Sequence, residues 1–316
     1  MKKSLFVFLA LLAVFSVGAQ DLIIANGAEP ASLDPALMTD TTSSNIGFAL
    51  NEGLMVYDPR TSKGIPAMAE SYSTSPDGMV VTFKIRKDAL WSDGTPVKAQ
   101  DFVYGWLRTL NPDTASEYAY MLTMVIKGAA AYNEGKGPAS DVGVKAVDDK
   151  TLQVTLVGPA AYFPDMTAHH AFEPAPKWAI DKHGSNWTKP GNYVGTGAYI
   201  LKEWKPQDYI LVEKNPKYWD AKNVKLKSIK YLASDNSTTN YKMYKAGAVD
   251  WQVGITVDLI DEIMLRKDYQ VSARFGTYYL SVNNTRAPFD NANVRKAYAA
   301  AIDKKTLVDK IGRAHV

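Results

Sequence analysis

Between Val80 and Leu110 the sequence changes its period. Val81, Phe83 and Ile85 alternate with Thr82, Lys84 and Arg86, so a pleated strand there has one apolar and one polar face. Asp93-Gly94 supplies turn chemistry, and Pro96 blocks continuation of a strand. Beyond it Phe102, Val103, Trp106, Leu107 and Leu110 recur at helical spacing, with Asp101 and Arg108 off that stripe. A chain that passes from period two to period 3.6 across one tight turn packs a helix back on a sheet. The aromatic residues of the stretch are therefore expected in a core.

The rest of the chain repeats this mixture. "GVKAVDDKTLQVTLVGP" predicts a hairpin, with Val144 and Val147 leading in and Leu152, Val154 and Leu156 alternating on the way out. "AYILKEWKPQDYILVEKNPKYW" predicts another, from Tyr199 to Trp204 and from Tyr209 to Glu213. Leu226 to Ala233 reads as a strand, and "STTNYKMYKAGAVDW" as a helix stopped at Gly247. "TYYLSVNNTRAPFDNANVRKAYAAAID" predicts a strand, an Asn-rich turn and a helix through Val294 to Ile302, with Asp303 as the N-cap of another. Hairpins interleaved with crossovers imply α/β or α+β lobes rather than a sandwich, and 316 residues are enough for more than one core.

Composition removes several function classes. The formal charge is +3 and no block of Lys or Arg stands out, so the chain lacks the electrostatic footprint of nucleic-acid binding. It has no Cys, which excludes disulfides, thiol catalysis, thiolate-bound metals and lipid attachment at an N-terminal Cys. Lys2 and Lys3 precede an apolar run from Leu5 to Val17, and Val17-Gly18-Ala19 offers the small residues a signal peptidase reads. The run is short for a bilayer, which needs about 20 apolar residues. Residues 1–19 are thus expected to be a cleavable signal peptide, and the mature protein is expected in a periplasm, unlipidated.

The chemistry of an enzyme is hard to find. There is no His-Glu-x-x-His, Gly-x-Ser-x-Gly, Walker or dinucleotide glycine motif. "GTGAYI" has two glycines but opens a strand. His169-His170, with Asp165 one helical turn earlier and His183 further on, is the only cluster with metal-ligand character. It leaves open a distant alternative, an exported metal-dependent hydrolase using His169, His170 and Asp165. The plainer reading is polar residues on a cleft rim.

Long ordered blocks carry a resemblance. "AESYSTSPDGMVVTFKIRKDALWSDGTPVKAQDFVYGWLRTLNPDTASEYAYML", "DVGVKAVDDKTLQVTL", "GNYVGTGAYILKEWKPQDYILVEKNPKYWD" and "YYLSVNNTRAPFDNANVRKAYAAAID" resemble the periplasmic oligopeptide-binding proteins. These are extracellular solute-binding proteins of the peptide and nickel branch of ATP-binding-cassette importers. The resemblance implies an α/β, periplasmic-binding-protein-like fold (class II, cluster C) of hinged lobes with an extra inserted lobe. Lobe I would comprise residues 20–51 and 178–276, the inserted lobe II residues 52–177, and lobe III would start at 277–316. Family members are longer, so the third lobe is expected to be largely missing, leaving apolar surface exposed from Thr277 onward.

The implied function is capture of oligopeptides and delivery to a membrane permease, without catalysis and without a cofactor. The implied partners are short peptides and the permease and ATPase subunits, with the protein itself a monomer. The same fold also serves dipeptides, murein peptides, oligosaccharides and nickel chelates, which stay as alternatives. By alignment with the family, Tyr118 in "TASEY" and His169 in "TAHH" correspond to cleft residues. Thr39 falls where relatives carry an acidic side chain. Val253, Gly254 and Ile255 match a cleft-lining loop that carries Asn in some relatives. Tyr278, Tyr279 and Ser281 match a strand lying along the ligand, with Ser281 in place of a glutamate. Loss of those acidic and amide groups puts a strict oligopeptide preference in question.

Overall fold

The computed structural model describes residues 22–270 and 279–310; the signal peptide expected over 1–19 lies outside the described residues. The described strands are β1 (Leu22–Gly27), β2 (Met55–Tyr57), β3 (Gly64–Pro66), β4 (Ala69–Thr74), β5 (Val80–Ile85), β6 (Val144–Asp148), β7 (Thr151–Thr155), β8 (Tyr199–Lys205), β9 (Tyr209–Lys214), β10 (Ser228–Ala233) and β11 (Trp251–Gln252). Two helices matter most for the site: α1 (Thr41–Leu50) and α2 (Ala99–Leu110).

The alternating run is β5, in the middle of an antiparallel sheet of order β4-β5-β7-β6. Val81, Phe83 and Ile85 are buried there, and Lys84 on the other face donates to Thr151 Oγ1 at 2.8 Å. The turn after it closes through Trp91 N–H to Thr95 O and Gly94 N–H to Trp91 O, both 2.8 Å. α2 then starts with its third-position acid reaching back. The Asp101 carboxylate accepts from Lys98 N–H (2.9 Å) and from the Trp91 indole (3.0 Å), satisfying donors that a helix start leaves free. Trp106 is buried edge-on against Phe163 and Phe172 and donates its Nε1–H to Phe172 O at 2.7 Å. These aromatics are scaffold, as the periodicity implies.

Both hairpins form: β6 pairs with β7, and β8 with β9. The second belongs to a five-stranded mixed sheet of order β11-β1-β10-β9-β8, in which β1 runs parallel to β10 and β11. One apolar cluster draws on residues between Leu54 and Phe172 around the antiparallel sheet. Another gathers Leu33, Ile46, Leu50, Trp187, Tyr193 and the inner faces of β8, β9 and β10 around the mixed sheet.

Polar contacts stitch the two clusters together where the chain crosses between them. The Thr196 hydroxyl accepts from Glu52 N–H (2.9 Å) and donates to Glu52 O (3.0 Å). Gly197 lies against α1's end so closely that a Cβ would stand 2.5 Å from Asn51 N, which only glycine permits. Asp34 is the deepest link. Its carboxylate is nearly fully buried and takes Arg108 of α2 in a two-pronged pair at 2.8 and 2.6 Å, plus the Trp187 indole at 3.3 Å.

The end of the chain departs from expectation in one respect. The helices Ala292–Ala301 and Lys304–Lys310 form, and Asp303 caps the second through Thr306 N–H at 3.0 Å. The strand expected in "TYYLSV" is not formed by its described residues 279–282, which are in no strand and are exposed. A strand exists only through pairing with a neighbour, and none of the described sheets takes in this segment. Leu280, Tyr298 and Leu307 are likewise exposed. Among the described residues no helix is long and apolar enough to cross a membrane.

Removing one partner of a buried pair strands the other charge, at a cost of about 3–5 kcal/mol, whereas replacing both can be nearly neutral. Arg108→Ala is therefore expected to lower unfolding free energy by about that amount in urea titration. Replacing both Arg108 and Asp34 with Leu should cost less than Arg108→Ala alone. A loss under about 1 kcal/mol for Arg108→Ala would mean that the pair behaves as a surface contact.

Candidate functional site

β1, β10 and β11 run parallel, so their carboxyl ends (Gly27, Ala233 and Gln252) share one edge of the sheet. Crevices outside such ends are where open α/β sheets bind ligands, because loops there are free of ladder bonding. Two sequence-predicted segments meet at this edge. The loop after β11 leaves with Val253 N–H bonded to Ala25 O at 3.0 Å. The Gln252 side chain holds it from beneath, donating to Gly254 O at 2.7 Å. Gly254 is exposed with φ +78°, a left-handed backbone that Gly and Asn adopt at least cost.

Thr39 is exposed immediately before α1. Its neighbour Asp40 caps that helix by accepting from Ser43 N–H at 2.7 Å. The start of α1 is tied to the end of β1, since Asn26 donates to Thr42 O (3.0 Å) and accepts from Asn45 (2.9 Å). Thr39 and the 253–255 loop are thus anchored to the same strand end by separate bonds.

Tyr118 and His169 are brought into direct contact. Their rings lie 4.8 Å apart, Tyr118 meets His170 edge-on at 5.2 Å, and the two imidazoles are 4.1 Å apart. Tyr118 sits half-buried on the antiparallel-sheet core, with Tyr120 exposed beside it at 6.0 Å. His170 is buried and its Nδ1 lies 3.0 Å from Pro35 O. A carbonyl only accepts, so Nδ1 carries the proton. That bond joins the aromatic cluster to the Asp34–Asp40 loop, and so to the Thr39 end of the site.

Burial depresses both histidines, and for His169 the neighbouring His170 adds to it, taking His169 down to about 3. His169 is therefore neutral. Its Nδ1 accepts from Ala171 N–H at 3.2 Å, which leaves Nε2–H as a free-standing donor. With the Tyr118 phenol beside it, this offers hydrogen-bonding groups suited to amides. His170 Nδ1 faces Pro35 O, and Asp165 accepts from Gly64 N–H at 3.2 Å. Among the described residues no group of three His, Cys, Asp or Glu is placed to hold a metal.

The remaining predicted site residues stand apart. Tyr279 and Ser281 are exposed on the segment that forms no strand, and no contact joins them to Tyr118 or His169 among the described residues. Tyr278 lies outside the described residues. The residues that set the geometry, Asp34 and Arg108, escaped sequence reading because each is a lone charge in an amphipathic stretch. Arg108 falling off the stripe of α2 looks like an ordinary solvated position.

The family described as bacterial extracellular solute-binding proteins, family 5 Middle, matches residues 63–316. The periplasmic oligopeptide-binding protein OppA of Escherichia coli is 40% identical over 296 residues, which is 92% of this chain and 54% of that protein. The structure of Haemophilus influenzae OppA in complex with the peptide RPPGFSPFR superposes with a TM-score of 0.87 at 37% identity, over 92% of this chain and 57% of that one. The Escherichia coli murein tripeptide-binding protein MppA gives 0.89 at 34% identity, over 94% and 58%. The chain thus spans about half the length of the curated relatives it matches. The architecture is the class II solute-binding fold of these structures.

The depressed histidine has a signed consequence. Because the folded-state value for His169 lies below the ordinary 6.5, unfolded chains take up the proton first. The associated stability is complete above about 6.5 and declines as pH falls toward 3. NMR of the His169 ring should show neutral-imidazole shifts from about pH 8 to about pH 5, and a midpoint near 6.5 would contradict the buried, neutral site.

Proposed function

The chain belongs to the bacterial extracellular solute-binding proteins of family 5, and on that footing we propose that it is the peptide-capturing component of an ATP-binding-cassette importer. It acts in the periplasm after removal of residues 1–19, is not lipidated, and hands its ligand to a permease driven by an ATPase subunit. It works as a monomer, without a cofactor, and it is not an enzyme. Lobe I comprises residues 20–51 and 178–276, lobe II 52–177, and lobe III begins at 277. The separate apolar clusters around the mixed and antiparallel sheets support this division.

The observation that carries the reading is the contact of Tyr118 with the neutral His169, joined through His170 and Pro35 O to the loop that enters α1. A protein that accepts many peptide sequences must recognise what all peptides share, the main chain, and tolerate varied side chains in hydrated pockets. A phenol and an imidazole Nε2–H serve that purpose because they hydrogen-bond amides without favouring charged side chains. Tyr adds a rigid apolar face at low entropy cost. By the family resemblance, the proposed ligand wall also takes in Thr39, Val253, Gly254, Tyr278, Tyr279 and Ser281. With Thr39 and Ser281 uncharged, this wall does not select for basic side chains, and that favours neutral peptides.

Calorimetry on the ligand-stripped product of the full-length gene tests this. Saturable heat with a mixed pool of short peptides is expected, and Tyr118→Ala should weaken it roughly tenfold, about 1.4 kcal/mol. Heat with an oligosaccharide or a nickel chelate, and none with peptides, would move the protein to another solute of the same fold.

A further inference from the structure

At the crossing between the two cores lies a cavity of about 290 Å³, distinct in its lining from the Tyr118–His169 cluster. Two carboxylic acids face it, Glu52 and Glu173, both buried. Their situations differ. Glu52 is fully engaged: Trp219 donates its indole N–H to Oε1 at 2.7 Å, and the Tyr218 hydroxyl donates to Oε2. Glu173 is more deeply buried, yet its Oε2 has no hydrogen-bond partner among the described residues.

A buried carboxyl oxygen without a partner costs about 1–3 kcal/mol, and more when charged. Arg86 does not serve it. Arg86 stacks over the Trp219 ring at 3.4 Å and gives its Nε–H to Ala67 O at 2.7 Å; its charge acts on Glu52, opposed by Asp220. Burial raises Glu52 to about 7 and Glu173 well above its ordinary value, each also repelled by a nearby acid, for Glu173 Glu52 itself. Neither carboxyl has an ion-pair partner among the described residues.

The other walls say what kind. Phe48 and Tyr57 line the cavity and are partly exposed, forming a mouth, and Ala198 and Tyr218 lie further along the wall. Aromatic faces and carboxylates together suit an organic ammonium, whereas Ca²⁺ and Mg²⁺ take six or more oxygen ligands and both oxygens of Glu52 already accept from Tyr218 and Trp219. The volume equals several waters at about 30 Å³ each, room for an amine of a few heavy atoms.

We propose that this junction cavity is a binding site for a small primary ammonium ion, held by Glu173 and Glu52 and enclosed by Phe48 and Tyr57. The ammonium donates to the Glu173 carboxyl where it lines the cavity and lets both acids ionise together, so binding above neutral pH displaces the proton that one of them otherwise keeps. Occupancy joins the two cores across their crossing point and so stabilises the native arrangement.

Titration with ethylammonium chloride, followed by calorimetry and thermal unfolding, tests it. At about pH 8 wild type should show saturable one-to-one binding and a raised melting temperature. At about pH 5 both acids are protonated and binding should weaken at least tenfold. Glu173→Gln preserves shape and should reduce affinity at least tenfold, while unfolding no more easily than wild type. Ala198→Leu should reduce affinity by occupying volume without altering charge. The inference is overturned if ethylammonium shows no saturable binding at the higher pH, if Glu173→Gln binds it equally well, or if magnesium or calcium binds there and the amine does not. Peptide capture by the same samples is read separately, so its loss or retention does not bear on the ammonium site.

Discussion

Asp34 receives two N–H groups of Arg108, the indole of Trp187 and the backbone N–H of Ala36 around one buried carboxylate. Such a charge is tolerable in an interior only when nearly every lone pair is used, and here the donors come from different parts of the molecule. Arg108 belongs to α2, packed on the antiparallel sheet, while Trp187 belongs to the core of the mixed sheet. The loop that follows Asp34 passes Pro35 O to His170 and then enters α1. One carboxylate therefore fixes how the aromatic cluster and the strand-end loops face each other.

The fold buries a pair of histidines in one place and a pair of acids in another. At His169 burial removes ionisation, leaving beside Tyr118 a surface of hydrogen-bonding groups and apolar contact. Around Glu52 and Glu173 burial concentrates acidity at the crossing between cores. The same physical term, desolvation, gives opposite outcomes because imidazole is neutral without its proton and a carboxyl is neutral with it. Acidification thus stresses the histidine side and relaxes the junction side.

Scaffold and wall also differ in how they are held. Trp91, Trp106 and Phe102 are locked by close packing and by indole hydrogen bonds. The 253–255 loop and Thr39 are held chiefly through backbone and capping bonds at strand and helix ends. That arrangement leaves their outward faces available while the backbone stays in place.

The sequence by itself determined the local elements: the β5 alternation, the Asp-Gly turn, the α2 stripe, both hairpins and the Asp303 cap follow from side-chain period and turn chemistry, which act over a few residues. Its long ordered blocks also pointed to the family. Only the tertiary structure decided that Asp34 meets Arg108, that Tyr118 touches His169, and that Glu52 and Glu173 share a cavity, since these partners lie far apart in the chain and nothing local marks them. The strand expected at Tyr279 failed for the same reason. Alternation makes a segment able to pair, but a partner edge has to exist before it becomes a strand.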